Sequence, residues 1–283
     1  MHTEEFLDLY SFSGEERNAD EYLESLRDKN IKKYRIKTIK SGQMLECEIY
    51  PIWNAPRIYN RARKKPTRKA QQNLNDKNTK KKLIRLINAN FSEEDIWATF
   101  TYDKNNLPSS IEEAKKDMVN YLRRLNRHIK KNDLPPLKYI YVTEHGKKRV
   151  HHHIIMNFAD RDVAEAIWDR GRKQTRRLQP DDYGLEGLAR YVVKGPATET
   201  NQKKYTCSKN LEKPKVTTAD TKISKKRAEK IARDPNMATE IFQKLYEGYL
   251  FKDIKISYSD FVPGAYLYIR MKQKNVKKPR GKI

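Results

Sequence analysis

Two strands of a β-hairpin are predicted by Lys138-Tyr-Ile-Tyr-Val-Thr-Glu144 and Arg149-Val-His-His-His-Ile-Ile-Met156, with Gly146 marking the turn. Side chains alternate between the two faces of a strand, so His151 and His153 share one face and His152 points to the other. If the turn centres near residues 147–148, Glu144 lies directly opposite His151, and opposed residues project to the same face. One carboxylate and two imidazoles are therefore expected to converge on one side of this hairpin.

This donor set predicts a metal site formed by Glu144, His151 and His153. Two nitrogen donors and one oxygen donor suit a divalent ion with open coordination positions, such as Mg²⁺ or Mn²⁺. The sequence leaves two alternatives open. The three adjacent histidines are either a chance run, or part of a structural zinc site, which normally needs four protein ligands.

The segments around the hairpin predict an α+β domain. Trp97-Ala-Thr-Phe-Thr-Tyr102 is rich in β-branched and aromatic residues, which favours a strand. Ser110 with Glu113 three residues later is a capping-box pattern and predicts the start of a helix. Residues 184–194 predict a second helix. We therefore expect a central antiparallel β-sheet flanked by helices between residues 93 and 200.

The two flanking regions, residues 1–92 and 201–283, are expected to be basic extensions of this core. Their predicted elements are a hairpin over 34–50, a basic helix over 67–88, a mobile lysine-rich stretch after residue 200, a basic helix near 222–233 and a hairpin turned at Pro263-Gly264. The sequence thus predicts three segments: 1–92, 93–200 and 201–283.

The net charge of the chain indicates the kind of partner that it binds. The 283 residues carry 61 Lys and Arg against 37 Asp and Glu, a net charge of +24. Such an excess favours a polyanion, because each phosphate contact releases a counterion. A basic protein that is merely soluble remains the alternative. Candidate DNA contacts are the helix at 67–85 and the segment 204–209, although both also suit an ordinary solvated surface.

Several classes of protein are disfavoured by composition. Only Cys47 and Cys207 are present, too few for a disulfide framework or a zinc ribbon. No apolar run approaches the ~20 residues of a membrane span, and the start of the chain lacks the basic-then-apolar order of a signal peptide. We expect a cytoplasmic protein without a membrane partner.

The order of these elements resembles the HUH endonuclease superfamily. His151-His-His-Ile-Ile-Met156 is similar to the family's His-U-His motif, in which U is hydrophobic; His152 stands at U and departs from that pattern. The strand 97–102 resembles the apolar strand that precedes the motif. Tyr191-Val-Val-Lys194 resembles the helix that carries the catalytic tyrosine and a lysine. The resemblance covers about residues 97–196.

This resemblance implies a rolling-circle replication initiator of the plasmid or phage type, a metal-dependent DNA nickase. Tyr191 would attack single-stranded DNA to give a 5′-phosphotyrosine and a free 3′-OH that primes replication, and Lys194 would assist it. Residues one turn either side of Tyr191 are Gly187 and Gly195, which indicates the single-tyrosine type.

Tyr-x-x-Lys by itself is a weak signal, because the chain also contains it at Tyr34 and Tyr249. Only Tyr191 is predicted to lie on a helix that can pack beside the sheet, where a residue three positions later shares its face. The alternative is a tyrosine of the hydrophobic core on an amphipathic helix.

Two further functions stay open. An HUH transposase or relaxase would use the same site on a different DNA, whereas a non-enzymatic DNA- or RNA-binding protein would need neither metal nor Tyr191. The expected partner is single-stranded DNA or an origin hairpin. Because the chain has no G-x-x-x-x-G-K-[ST] sequence, we expect a host helicase, and a polymerase would extend the 3′-OH.

Overall fold

The computed structural model describes residues 30–54, 68–145, 150–192, 205–258 and 263–274. The chain divides into two compact units. The central unit comprises Lys82–Lys213, and the terminal unit combines Met1–Lys81 with Pro214–Ile283. The boundaries at residues 92 and 200 that the sequence suggests remain predictions.

Within the described ranges the chain forms ten strands and six helices. The strands are β1 (Ile31–Ser41), β2 (Met44–Trp53), β3 (Ile96–Thr101), β4 (Tyr139–His145), β5 (Val150–Met156), β6 (Lys173–Arg177), β7 (Thr206–Cys207), β8 (Lys215–Ala219), β9 (Tyr249–Tyr258) and β10 (Ala265–Gln273). The helices are α1 (Arg68–Asn90), α2 (Ile111–Lys131), α3 (Arg161–Ala166), α4 (Glu186–Val192), α5 (Lys225–Arg233) and α6 (Met237–Leu245).

The central unit is built on a five-stranded antiparallel sheet with the order β6-β3-β5-β4-β7. Helix α2 covers one face with an apolar stripe at helical spacing, formed by Ala114, Met118, Tyr121, Leu122, Leu125 and Ile129. These side chains pack against alternate residues of the strands, among them Ala98, Phe100 and Ile154. The predicted α+β fold with an antiparallel sheet flanked by helices is confirmed.

Helix α2 begins where the sequence predicts. The Oγ atom of Ser110 accepts a hydrogen bond from the backbone N–H of Glu113 at 3.2 Å. The Glu113 carboxylate reaches back to the N–H of Ser109, one residue earlier than in the standard capping box, at 2.6 Å. Both bonds satisfy backbone donors that would otherwise lack partners, and they fix the start of the helix that supports the sheet.

The terminal unit contains a second five-stranded antiparallel sheet, with the order β8-β1-β2-β10-β9. Helices α5 and α6 pack on one face of it through Ala228, Ile231, Ala238 and Phe242. The predicted hairpins and the basic helix near 222–233 are present. The prediction of a mobile stretch after residue 200 is wrong for residues 205–219, which include β7 and β8. Helix α6 was not predicted.

Candidate active site

The hairpin β4–β5 brings together the three residues predicted to hold a metal. Glu144 is paired with His151 across the two strands, and His153 lies two residues farther along β5 on the same face. The Nε2 atom of His151 lies 3.1 Å from Oε2 of Glu144, and Nε2 of His153 lies 4.0 Å from the same oxygen. The geometry therefore follows the alternation and register expected from the sequence.

These donor atoms fit a single divalent ion. All three lie within 4.8 Å of one another. Ligand atoms about 2.1 Å from one ion are at most about 4.2 Å apart, so small side-chain rotations would close the site. A group of one carboxylate and two imidazoles could hold such an ion with positions left for substrate oxygens.

His153 is held in one orientation by its neighbours. Its Nδ1 atom lies 3.1 Å from Oγ1 of Thr99 on β3, and its ring stacks on Trp97 with centroids 4.8 Å apart. A proton on Nδ1 that is donated to Thr99 leaves Nε2 with the lone pair that a metal requires. Burial, with a smaller contribution from the charge of His151, lowers the pKa of His153 to about 4. The imidazole is therefore neutral at neutral pH, the form that binds metals.

His152 lies on the opposite face and is fully buried. Its Nε2 atom is 2.9 Å from the hydroxyl of Tyr102, and its Nδ1 atom is 2.9 Å from Oγ1 of Thr143. Burial, and then the charges of His151 and His153, lower its pKa to about 3. Both ring nitrogens thus have protein partners, which explains how a histidine is accommodated at a fully buried position.

Tyr191 projects from α4 beside the histidines. Its ring meets the ring of His153 edge-on, with centroids 5.4 Å apart, and also contacts Trp97 at 5.8 Å. The side chain is 53% exposed, so it is not a tyrosine of the hydrophobic core. A phenol in this position is accessible to a substrate and adjacent to a candidate metal ligand.

Helix α4 is anchored so that Tyr191 faces outward. The backbone N–H of Leu185 donates to Oδ1 of the buried Asn88 at 2.7 Å, which ties the start of α4 to α1. Arg190 pairs with Glu186 at 2.6 Å, and Ala189 is buried. Because these contacts involve the sides of α4 other than that of Tyr191, the helix can hold the phenol against His153.

Several predicted features cannot be placed. Lys194 and Gly195 lie outside the described residues, as do the turn residues 146–149.

The remaining two Tyr-x-x-Lys tyrosines belong to the terminal unit. Tyr34 is fully buried, and its hydroxyl accepts a hydrogen bond from the N–H of Ala265 at 3.1 Å; burial raises its pKa to about 12. Tyr249 lies at the start of β9.

A comparison with protein families finds one match on this part of the chain. Residues 95–196 match the family model of the replication-associated protein ORF2. The match spans 102 of the 283 residues and includes β3 to α4, with all four described candidate residues. This segment is therefore similar to replication-associated proteins.

Two further comparisons, with curated proteins and with solved structures, give no match. None of the helices in the described ranges is long and apolar enough to span a bilayer.

Three residues of this environment were not foreseen: Thr99, Trp97 and Tyr102. The alternation of β3 already indicates that Trp97 and Thr99 share a face. What the sequence lacks is the register of β3 against β5, in which Thr99 is opposite His153. The connection between these strands contains α2, so no short turn determines that register.

Proposed function

We propose that the protein is a replication initiator that nicks single-stranded origin DNA, with Tyr191 as nucleophile and a Mg²⁺ or Mn²⁺ ion held by Glu144, His151 and His153. The observation that carries this proposal is the contact of the exposed Tyr191 ring with His153, one member of the candidate ligand group. The similarity of residues 95–196 to replication-associated proteins supports the same conclusion.

In the proposed reaction, the Oη atom of Tyr191 attacks the phosphorus of a phosphodiester. The phenolic proton leaves Tyr191, the Oη–P bond forms and the bond from phosphorus to O3′ breaks. The departing O3′ takes up a proton, which yields a free 3′-OH and a 5′-phosphotyrosine. That 3′-OH can serve as the primer for replication.

Other residues would assist the attack by Tyr191 in different ways. A divalent ion bound to Glu144, His151 and His153 would withdraw charge from the phosphate oxygens and orient the phosphodiester. Thr99 keeps the Nε2 atom of His153 directed at Glu144, since it occupies the other nitrogen. Lys194 would favour the phenolate of Tyr191 through its positive charge.

The test is a denaturing gel of end-labelled single-stranded DNA incubated with the protein and Mn²⁺. We expect a covalent protein–DNA species, and peptide mapping should locate the DNA on Tyr191. Tyr191→Phe should remove the adduct entirely, because it deletes the attacking oxygen, while DNA affinity changes little because no charge is lost.

Tyr249→Phe is the matched control, since it changes another Tyr-x-x-Lys tyrosine, and it should leave the adduct intact. An adduct that maps to Tyr249 would refute Tyr191 as the nucleophile but would remain consistent with covalent nicking. Metal-dependent cleavage by Tyr191→Phe without any covalent species would instead indicate attack by water and contradict the proposed mechanism. Cleavage absent from the wild-type protein in every metal would favour a nucleic-acid-binding protein without enzymatic activity.

A further inference from the structure

An open cleft adjoins the candidate active site within the central unit. It has a volume of about 600 Å³ and lies between the edge strand β6, the segment that leads into α4, and α4 itself. Its lining includes Trp97, Arg161, Arg176, Arg177, Asp181 and Gly187. The volume falls within the range of roughly 300–1,000 Å³ that is usual for ligand clefts. Nothing in the proposed nicking chemistry uses this space.

The cleft carries a positive charge. The side chain of Arg176 is exposed and, among the residues that the structure describes, makes no hydrogen bond or ion pair. Arg161 donates from Nε and Nη2 to the hydroxyl and carbonyl oxygens of Thr175, and Arg177 donates to the carbonyl of Glu94. Since a guanidinium has five N–H donors, both groups are oriented by these bonds and keep donors for a ligand. Within the described residues, the cleft is thus lined by three arginines and a single acidic residue, Asp181.

Trp97 connects the cleft to the candidate metal ligands. It lines the cleft while its ring stacks on His153 and contacts Tyr191. Arg176 is opposite Trp97 in the register of β6 and β3, so it projects from the same face of the sheet. Strands β6 and β5 are separated by one strand, a distance of about 10 Å. A short oligonucleotide can therefore reach both the cleft and the histidines.

Gly187 keeps the cleft open on the side of α4. A Cβ atom added at this position would meet no other atom within 4 Å. The packing of the protein therefore does not require glycine here, and a larger side chain would occupy space in the cleft. This allows the cleft to be filled without disturbing the fold.

We infer that this cleft binds the stretch of single-stranded DNA next to the phosphodiester that Tyr191 attacks. The inference rests on the proposed function for the position of that phosphodiester. Guanidinium groups bind phosphate oxygens through charge-assisted hydrogen bonds, and an aromatic ring in a basic groove offers a surface on which a base can stack. The cleft provides both, with Arg176 for the phosphate and the part of Trp97 that is not covered by His153 for the base.

The first test measures binding without cleavage. The full chain is titrated into fluorescently labelled oligothymidylate in the presence of EDTA, and the anisotropy is followed. Arg176→Ala should weaken binding about tenfold, which corresponds to ~1.4 kcal/mol. Arg127→Ala is the matched control, because Arg127 is an exposed arginine on α2, which packs on the opposite face of the sheet; its loss should be less than about twofold.

The second test fills the cleft from Gly187. Gly187→Leu should weaken oligothymidylate binding at least as much as Arg176→Ala, whereas its melting temperature should match that of the wild type. Gly187→Ala should have an intermediate affinity and an equal or higher melting temperature. A merely structural glycine would give the opposite result, a lower melting temperature in both variants.

These measurements test DNA binding in the cleft independently of the proposed nicking reaction. If Arg176→Ala and Gly187→Leu bind as tightly as Arg127→Ala, or if only RNA and no oligothymidylate binds, the inference is wrong even when Tyr191 forms its adduct. If both variants lose affinity while no adduct forms, DNA binding in the cleft is supported and the proposed nicking is refuted. Where nicking occurs, Arg176→Ala should act mainly by raising KM, because Arg176 contributes binding rather than chemistry.

Discussion

His152 and His153 are neighbours in the sequence, yet they lie on opposite faces of the central sheet and have different surroundings. On the face covered by α2, Tyr102 and Thr143 occupy both ring nitrogens of His152. On the other face, Thr99 occupies Nδ1 of His153, and Nε2 points toward Glu144. The comparison shows that the partners of each ring nitrogen, more than the residue type, decide whether a histidine is structural or able to bind a metal.

The strongest test of this comparison replaces His153, the histidine on the face that carries Glu144. His153→Ala should lower Mn²⁺-dependent cleavage by more than about 100-fold, because it removes a proposed ligand. Mn²⁺ should raise the melting temperature of the wild type, since a ligand that binds only the folded state stabilises it, and this rise should be absent in His153→Ala. Calorimetric titration with Mn²⁺ provides the direct measurement. An unchanged Mn²⁺ affinity in this variant would exclude His153 as a ligand.

The corresponding change on the face covered by α2 should affect stability instead. His152→Leu removes the imidazole from the hydroxyls of Tyr102 and Thr143 and leaves Tyr102 only its longer bond to the carbonyl of Ala114, so it should lower the free energy of unfolding by about 2–4 kcal/mol. Urea unfolding measures this loss, and the rise in melting temperature with Mn²⁺ should persist.

Two further variants sharpen that result. In the double variant His152→Leu with Tyr102→Phe, part of the stability should return because the buried hydroxyl that lost its bond to His152 is gone. His128→Leu on α2 makes the same replacement at a half-exposed position and should cost less than about 1 kcal/mol. If His152→Leu abolished Mn²⁺ binding in a folded protein, the two faces would not be independent.

The smallest expected effect concerns the threonines that contact the two rings. Thr99→Val keeps the side-chain shape but removes the partner of His153 Nδ1, so Mn²⁺ affinity should fall about 10-fold with little loss of stability. Thr143→Val is the matched change beside His152 and should cost about 1 kcal/mol of stability while Mn²⁺ affinity stays the same. Equal effects of the two variants on Mn²⁺ affinity would contradict an orienting role for Thr99.

The sequence predicts those parts of this arrangement that depend on local geometry. Strand alternation places His151 and His153 on one face, and the short turn places Glu144 opposite His151, so the candidate ligand group follows from one hairpin. The roles of these residues and of Tyr191 stay predictions. The register that brings Thr99 to His153 is set by two strands that are far apart in sequence, with α2 in the connection between them. No local pattern encodes it.

The terminal unit was harder to predict for two different reasons. Strand β8 is an edge strand whose residues are almost all exposed, so it lacks the alternation of buried and exposed positions that marks a strand. The segment that leads to it is rich in lysine and therefore resembles a mobile stretch. The sheet also joins two hairpins from opposite ends of the chain, and each hairpin was predictable alone whereas their pairing was not.

That pairing sets an order of events during translation. Ile49 on β2 is paired with Leu267 on β10, so the first hairpin leaves the ribosome long before the strand that completes its edge. Until then, β2 presents unpaired N–H and C=O groups, which can pair with strands of other nascent chains. The central unit is continuous in sequence and can fold during this interval, as domains commonly do during synthesis. The fold with the candidate active site would thus form first, and the sheet that joins β2 to β10 would close only after β10 has left the ribosome.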